Sequence, residues 1–263
     1  MNRWVNLIRQ KWVAAVLVVV LFNLMISLYS LFDKESYLYK LIFTSHPVQK
    51  GDVITDEKIA KKPVTEILID VPVLSQLPEL DRGCEVTSLA MLLRHAGIQA
   101  DKMILAKQIK KDPTRFSRVN GITYFGNPND GFVGDIYTFA KSGLGVYHKP
   151  VAALAETYLP GRVLDLSGES FDNVIKQLAK GKPVWVITNS TYKYLADSHW
   201  RTWHTPTGKI KVTYYEHCVL LTGFDAQYVY FNDPLTSGKN IKVSKTNFIE
   251  AWEQIGSQAI SYN

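Results

Sequence analysis

Trp12 to Phe32 is a run of 21 residues without a charge. A stretch of that length and polarity can cross a hydrocarbon core of about 30 Å as one helix rising about 1.5 Å per residue. No second such run follows, so a polytopic membrane fold is excluded, and the rest of the chain must bury its apolar residues against itself. The run is apolar all round, with no stripe that would suit a surface helix of a globular core. Arg3, Arg9 and Lys11 precede it, while Asp33 and Glu35 follow it. The positive-inside rule therefore sets the N-terminus in the cytoplasm and the bulk of the chain outside the cell membrane. A cleaved signal peptide is the competing reading, but no A-x-A-like pair of small residues lies between Ala15 and Ser45. The expectation is an uncleaved, single-pass anchor: a cytoplasmic tip at 1–11, the membrane helix at 12–32, a stalk at 33–66 and a globular domain at 67–263.

Composition narrows the class of that domain. At 46% hydrophobic and 21% charged residues the 263-residue chain is neither disordered nor collagen-like. Three of the cations that make up its formal charge of +6 belong to the first 32 residues, which hold no acid, so only +3 remains beyond them. With no Lys/Arg block beside aromatics, that excess gives no footprint for nucleic acid. Two cysteines are too few for a disulfide framework, and neither sits in a CxxC pair.

Ile67 to Leu74 reads as an edge strand, because Pro72 cannot donate to a central ladder. A polar loop, Ser75 to Gly83, leads into Cys84 to His95, where Val86, Leu89, Ala90 and Leu93 recur at helical spacing and Gly97 supplies the stop. Met103 to Ile109 and Phe171 to Leu178 are further expected helices. Residues 112 to 134 carry enough Gly, Pro and Asn for one long loop. Strands are expected at Pro183 to Thr188, Lys211 to Tyr215, His217 to Thr222, Tyr228 to Asn232 and Ile241 to Val243, with an aromatic insertion from Tyr192 to Trp203. Helices followed by an antiparallel run of strands make an α+β fold.

Cys84 stands at the expected tip of a helix, where free N–H groups and the positive end of the dipole favour a thiolate. His217 opens a strand whose hairpin, if centred on Asp225, sets Asp233 directly across the ladder, within reach of the imidazole. Nucleophile, base and an orienter of the base are the parts of covalent acyl transfer. Of the polar residues before Cys84, only Gln76 offers an amide N–H to an oxyanion, beside the backbone N–H of Cys84. Cys218, next to His217 in the strand, is expected on the opposite face, which disfavours a Cys84–Cys218 disulfide.

In order along the chain come Val71-Pro-Val-Leu-Ser-Gln76, Gly83-Cys84-Glu-Val-Thr-Ser-Leu-Ala-Met91, Gly131-Phe-Val-Gly134, Pro183-Val-Trp185, Glu216-His217 and Asn232-Asp233-Pro234. Together they resemble the papain-like cysteine peptidases of the double-glycine-leader peptidase superfamily, in particular the stand-alone, secreted or membrane-anchored bacterial branch. The resemblance covers Ile67 to Tyr262. It implies a papain-like fold with Cys84 as nucleophile, His217 as base, Asp233 as orienter and Gln76 as oxyanion donor, acting on peptide or cell-wall peptide bonds without a cofactor. No GxxxxGK[ST] loop is present, so the chain is not itself an ATP-driven exporter. Glu85 departs from the pattern, since many relatives place glycine there, and its carboxylate would oppose a thiolate.

Among the remaining aromatics, Trp185, Trp200 and Trp203 are expected to wall the substrate groove. His199 and His204 lack an HExxH arrangement, and no metal site is expected. Asn127-Pro128-Asn129-Asp130-Gly131 reads as a structured turn near the cleft. A catalytically silent module that holds a peptide or cell-wall fragment, and an amidase acting on cell-wall peptides, are the alternative functions these residues allow.

Overall fold

The computed structural model describes residues 64–263. The expected tip, the anchor at 12–32 and nearly all of the stalk at 33–66 lie outside the described residues. In chain order the elements are β1 (Ile67–Leu68), α1 (Cys84–His95), α2 (Lys102–Gln108), β2 (Lys111–Asp112), β3 (Ser117–Val119), β4 (Ile122–Tyr124) and β5 (Phe132–Val133). Then follow α3 (His148–Tyr158), β6 (Val163–Asp165), α4 (Phe171–Ala179), β7 (Val184–Asn189), β8 (Trp200–Thr205) and β9 (Gly208–Thr213). The chain ends with β10 (Glu216–Phe224), β11 (Tyr228–Asp233), β12 (Gly238–Ser244), α5 (Lys245–Gln254) and β13 (Ala259–Tyr262).

A seven-stranded antiparallel sheet, in the order β12-β11-β10-β7-β13-β6 with β1 added to β10, forms the backbone of this α+β domain. Its middle strands are continuous apolar runs. All six residues of β7 and eight of the nine in β10 are buried, as a sheet covered on both faces requires. The edge strand β12 instead carries Lys239, Asn240 and Lys242, which keeps its open side soluble. Helix α1 is buried from Cys84 through Leu93, packed against β10 and β7 and flanked by α2 and α3. A second, four-stranded sheet, β3-β4-β8-β9, covers a small cluster of Phe125, Val133, Leu144, Trp203 and Val212.

Several expectations change here. The edge strand expected over Ile67 to Leu74 is cut to two residues, because the segment leaves the ladder after the Ile69 N–H bonds to the Thr222 carbonyl. The long loop at 112–134 contains β3, β4 and β5, and the last third of the aromatic insertion is in strand β8. Helix α3 starts at His148 with Pro150 in its first turn, where proline's missing N–H has no intrahelical acceptor to lose. The Asn127 turn is formed, with the Asp130 N–H on the Asn127 carbonyl.

Trp185 lies in the core with no exposure, and its indole N–H donates to the Glu85 carbonyl at 2.9 Å. Trp185→Phe should therefore cost about 1–3 kcal/mol, from lost volume and a broken buried hydrogen bond. The midpoint of urea unfolding, at unchanged slope, measures it.

Candidate active site

The loop before α1 is pinned at several points. Gln76 N–H bonds to the Pro234 carbonyl at 2.8 Å. The Lys102 ammonium donates to the carbonyls of Ser75 and Gln76 and to the Glu79 carboxylate. Gly83 is required at the tip of the helix, since a Cβ there would lie 2.4 Å from Leu80 Cβ. Cys84 thereby starts α1 with its N–H among the amides that have no partner within the helix.

Gln76, Cys84 and His217 line one cavity of about 310 Å³. Behind His217, whose Nε2 is 2.8 Å from Asp233 Oδ1, the carboxylate is fixed by three more donors: Leu235 N–H on Oδ1, and the hydroxyls of Tyr192 and Thr236 on Oδ2. Both side chains of the pair are buried. With Nε2–H committed to Asp233, Nδ1 is the ring nitrogen free to act as a base. Burial works to raise the Asp233 pKa, but the bond and charge of His217 and the other donors outweigh it and hold the carboxyl at about 2.

Asp233 does not stand directly across from His217. The ladder pairs Leu220 with Asn232, and a bulge lies between Leu221 and Gly223, so the register differs from a hairpin centred on Asp225. The carboxylate reaches the ring as a diagonal neighbour on the same face. Tyr192, the first residue of the aromatic insertion, is a second holder of Asp233.

Gln76 differs from its expected posture. Its two amide hydrogens go to the carbonyls of Leu80 (3.1 Å) and Asp81 (3.0 Å), while its Oε1 is buried without a partner. The three tryptophans expected at the groove do not line the Cys84 cavity. Trp185 is core, Trp203 is buried with its N–H on the Gly126 carbonyl, and Trp200 borders a different pocket beside Tyr147 and His148. The large apolar area of an indole is drawn into cores in preference to an open cleft. Cys84 and Cys218 are both free.

Sequence reasoning missed Glu216. One oxygen each of Glu85 and Glu216 and the Cys84 sulfur lie within 4.8 Å of one another. Glu85 is fully buried, with Oε1 accepting from Val146 N–H at 2.7 Å and Oε2 from the Cys84 thiol at 3.4 Å. Burial first, then the charges of Glu85 and Glu216, push the Cys84 thiol well above its ordinary value. This reverses the expectation of a thiol acidified by the helix tip, because two carboxyls and desolvation outweigh half a unit of dipole charge. Burial likewise raises Glu85 to about 7, and burial together with Glu85 raises Glu216 well above the carboxylate range. The pair therefore gives up one of its two protons near neutral pH and keeps the other.

The proton that leaves near neutrality has a consequence for stability. The folded protein binds it more tightly than the unfolded chain, so the contribution is complete below the unfolded value near 4.5 and is lost as the pH rises through about 7. Thermal midpoints should fall from pH 5 to pH 8, and Glu216→Gln should flatten that slope. Calorimetry across the range reads it.

The sequence of residues 68–260 matches the family model described as the Peptidase_C39 like family. Over 194 residues the chain is 47% identical to the uncharacterised protein YvpB of Bacillus subtilis (strain 168), spanning 73% of this chain and 74% of that protein. A crystal structure of a Bacillus anthracis protein proposed to be a C39-like peptidase is 51% identical and superposes with a TM-score of 0.70, over 74% of this chain and 96% of that one. With its pinned loop, helix-tip cysteine and buried His–Asp pair, the chain belongs to the Peptidase_C39 like family.

Proposed function

We propose that residues 67–263 are a cysteine peptidase that hydrolyses peptide or amide bonds through Cys84, His217 and Asp233. The observation that carries this reading is the buried His217–Asp233 hydrogen bond behind a cavity that the imidazole shares with Cys84. His217 Nδ1 takes the thiol proton as Cys84 Sγ attacks the carbonyl carbon. The resulting oxyanion draws on the Cys84 backbone N–H and on Gln76. An ionised oxygen is a stronger acceptor than a peptide carbonyl, so one Gln76 N–H leaves Leu80 or Asp81 to meet it. Collapse expels the amine with the proton from His217, and water then releases the acid from the thioester.

Because the resting thiol is neutral, proton transfer to His217 accompanies attack, and the rate should rise with pH well past neutrality. The uncharged run at 12–32, with cations before it and acids after it, supports an anchor that holds the domain on the extracytoplasmic side of the membrane.

Incubating the full chain with a proteome-derived peptide library under reducing conditions tests the reading. New termini should appear with the wild type and be absent with His217→Ala; their appearance with both proteins would sink the assignment. A catalytically silent binding module is the second reading, favoured by the Cys84 thiol resting on Glu85 Oε2. It predicts retention of peptides with no new termini from either protein.

A further inference from the structure

One arginine, Arg82, lines the cavity beside Cys84, but its guanidinium donates to the carbonyls of Asp135 and Thr138 and forms no ion pair with Glu216 or Glu85 among the described residues. Glu216 Oε1 is buried without a hydrogen-bond partner, and the same holds for Oε1 of Gln76, a residue only 2% exposed that lines the same space. Glu85 stands behind Glu216, its two oxygens already taken by Val146 N–H and the Cys84 thiol. Gly145 closes over the two acids. A Cβ there would lie 2.8 Å from Glu216 Oε2 and closer still to Glu85 Oε1, so only a residue without a side chain lets the two carboxyls share this space.

The other titratable groups facing the pair do not neutralise it. Cys84, Cys218 and Tyr147 are themselves acids, each held protonated by burial and by the two carboxyls. Lys111 acts on Glu85 through space but forms no ion pair with either acid among the described residues, and His217 is committed to Asp233. Buried acids are ordinarily paired, and an orphaned one that borders a cavity calls for a donor from outside.

We propose that Glu216, with Glu85 behind it and Gln76 Oε1 beside it, forms a subsite for a cationic nitrogen of the substrate, an ammonium or a guanidinium, seated next to the Cys84 sulfur. The substrate in question is that of the peptidase reading, on which this subsite rests. When the cation enters, it pairs with whichever of the two carboxyls is ionised while the other keeps its proton. The charge that opposed a thiolate is then cancelled, and the proton of Cys84 can pass to His217. The nucleophile is thus generated where the substrate's own positive charge is present, and neutral or anionic peptides leave it dormant.

Methanethiosulfonate reagents of similar size test this on the full chain, in EDTA to keep metal ions away, with peptide mapping to separate Cys84 from Cys218. In each case the Cys84 sulfur forms a disulfide with the reagent's thiol fragment and methanesulfinate leaves. The aminoethyl reagent, a cation, should modify Cys84 about tenfold or more faster than the neutral methyl reagent, and the sulfonatoethyl anion more slowly than either, as expected for one charge a few ångströms away. Glu216→Gln should bring the three rates within about threefold of one another, whereas Glu216→Asp should retain part of the preference. Equal cation preference in wild type and Glu216→Gln overturns the subsite, as does no preference in the wild type. If Glu216→Gln does not fold, Glu85→Gln serves in its place with the same expected loss of preference.

Two competitors identify which end of a substrate is read. Glycinamide presents an α-ammonium and Nα-acetyl-lysinamide a side-chain ammonium, and whichever speeds the methyl reagent in the wild type but not in Glu216→Gln marks the source. Acceleration by neither counts against the proposal. A methyl-reagent rate that His217→Ala leaves unchanged counts instead against the catalytic pair, so the two failures are distinguishable.

Discussion

Cys84→Ala should reduce hydrolysis by about 10⁴-fold or more while the protein stays folded. The size of the effect follows from the role: without the sulfur no covalent intermediate can form, and what remains is the binding and polarisation of a carbonyl by its surroundings. His217→Ala should cost about as much, and the double variant no more than either single one, because nucleophile and base act as a unit. The fold has little to lose at this position. Cys84 is 7% exposed, and its thiol makes one long contact to Glu85 at 3.4 Å. Removing it takes only that long hydrogen bond from Glu85 Oε2, so the urea midpoint should move by about 1 kcal/mol or less in stability. Product formation by mass spectrometry, read beside that midpoint, gives both halves of the expectation. Retained turnover in the folded variant would remove Cys84 from the chemistry.

Much of this arrangement was legible in the sequence, and the parts that were not share a cause. Helix α1 was readable at both ends, since apolar residues at helical spacing begin at a glycine that Leu80 leaves no room to enlarge and stop at Gly97. The central strands were readable because a strand buried on both faces has an unbroken apolar run. The partnership of His217 with Asp233 was legible only as a proximity. The turn is centred between Ala226 and Gln227 and not on Asp225, and the bulge at Leu221/Gly223 then moves the pairing by one residue, which nothing in the local pattern marks except Gly223 itself. Helix α3 was hidden by Pro150, which reads as a breaker until the helix start is known. Glu216, quoted in the sequence only as the residue before His217, had no role assigned there for a deeper reason. It precedes His217 in a strand, where a lone acid reads as a solvated strand end, and its neighbour Glu85 lies 131 positions away in another element. Only tertiary packing of α1 on β10 brings the two acids together, and no spacing rule reports it. The tryptophans failed in the opposite direction, because aromatic density in a sequence does not distinguish the wall of a cleft from the filling of a core.

Asp233→Asn should leave the site assembled yet cut turnover by up to about 10⁴-fold. Four donors converge on the native carboxylate: His217 Nε2–H and Leu235 N–H on one oxygen, and two hydroxyls on the other. An amide can match this constellation in one of two ways. With its oxygen toward Leu235 and His217, its NH₂ faces the hydroxyls of Tyr192 and Thr236, which can rotate to accept; the ring is held, but no negative charge balances the imidazolium that forms during attack. Turned the other way, the amide donates to Nε2 and drives the ring proton to Nδ1, so the nitrogen that should serve as base is already occupied. Either outcome removes catalysis while satisfying most hydrogen bonds. The stability cost should be pH-dependent in a direction that identifies its origin. The folded carboxyl titrates at about 2, below its ordinary value of 3.8, so its contribution is present above that ordinary value and is lost as the pH falls through about 2. Wild type should exceed Asp233→Asn by about 2 kcal/mol at neutral pH and converge with it near pH 2. Asp233→Ala, which leaves four donors facing a void, should stay less stable than wild type even there, because its defect is unpaired donors and lost contacts and carries no dependence on charge.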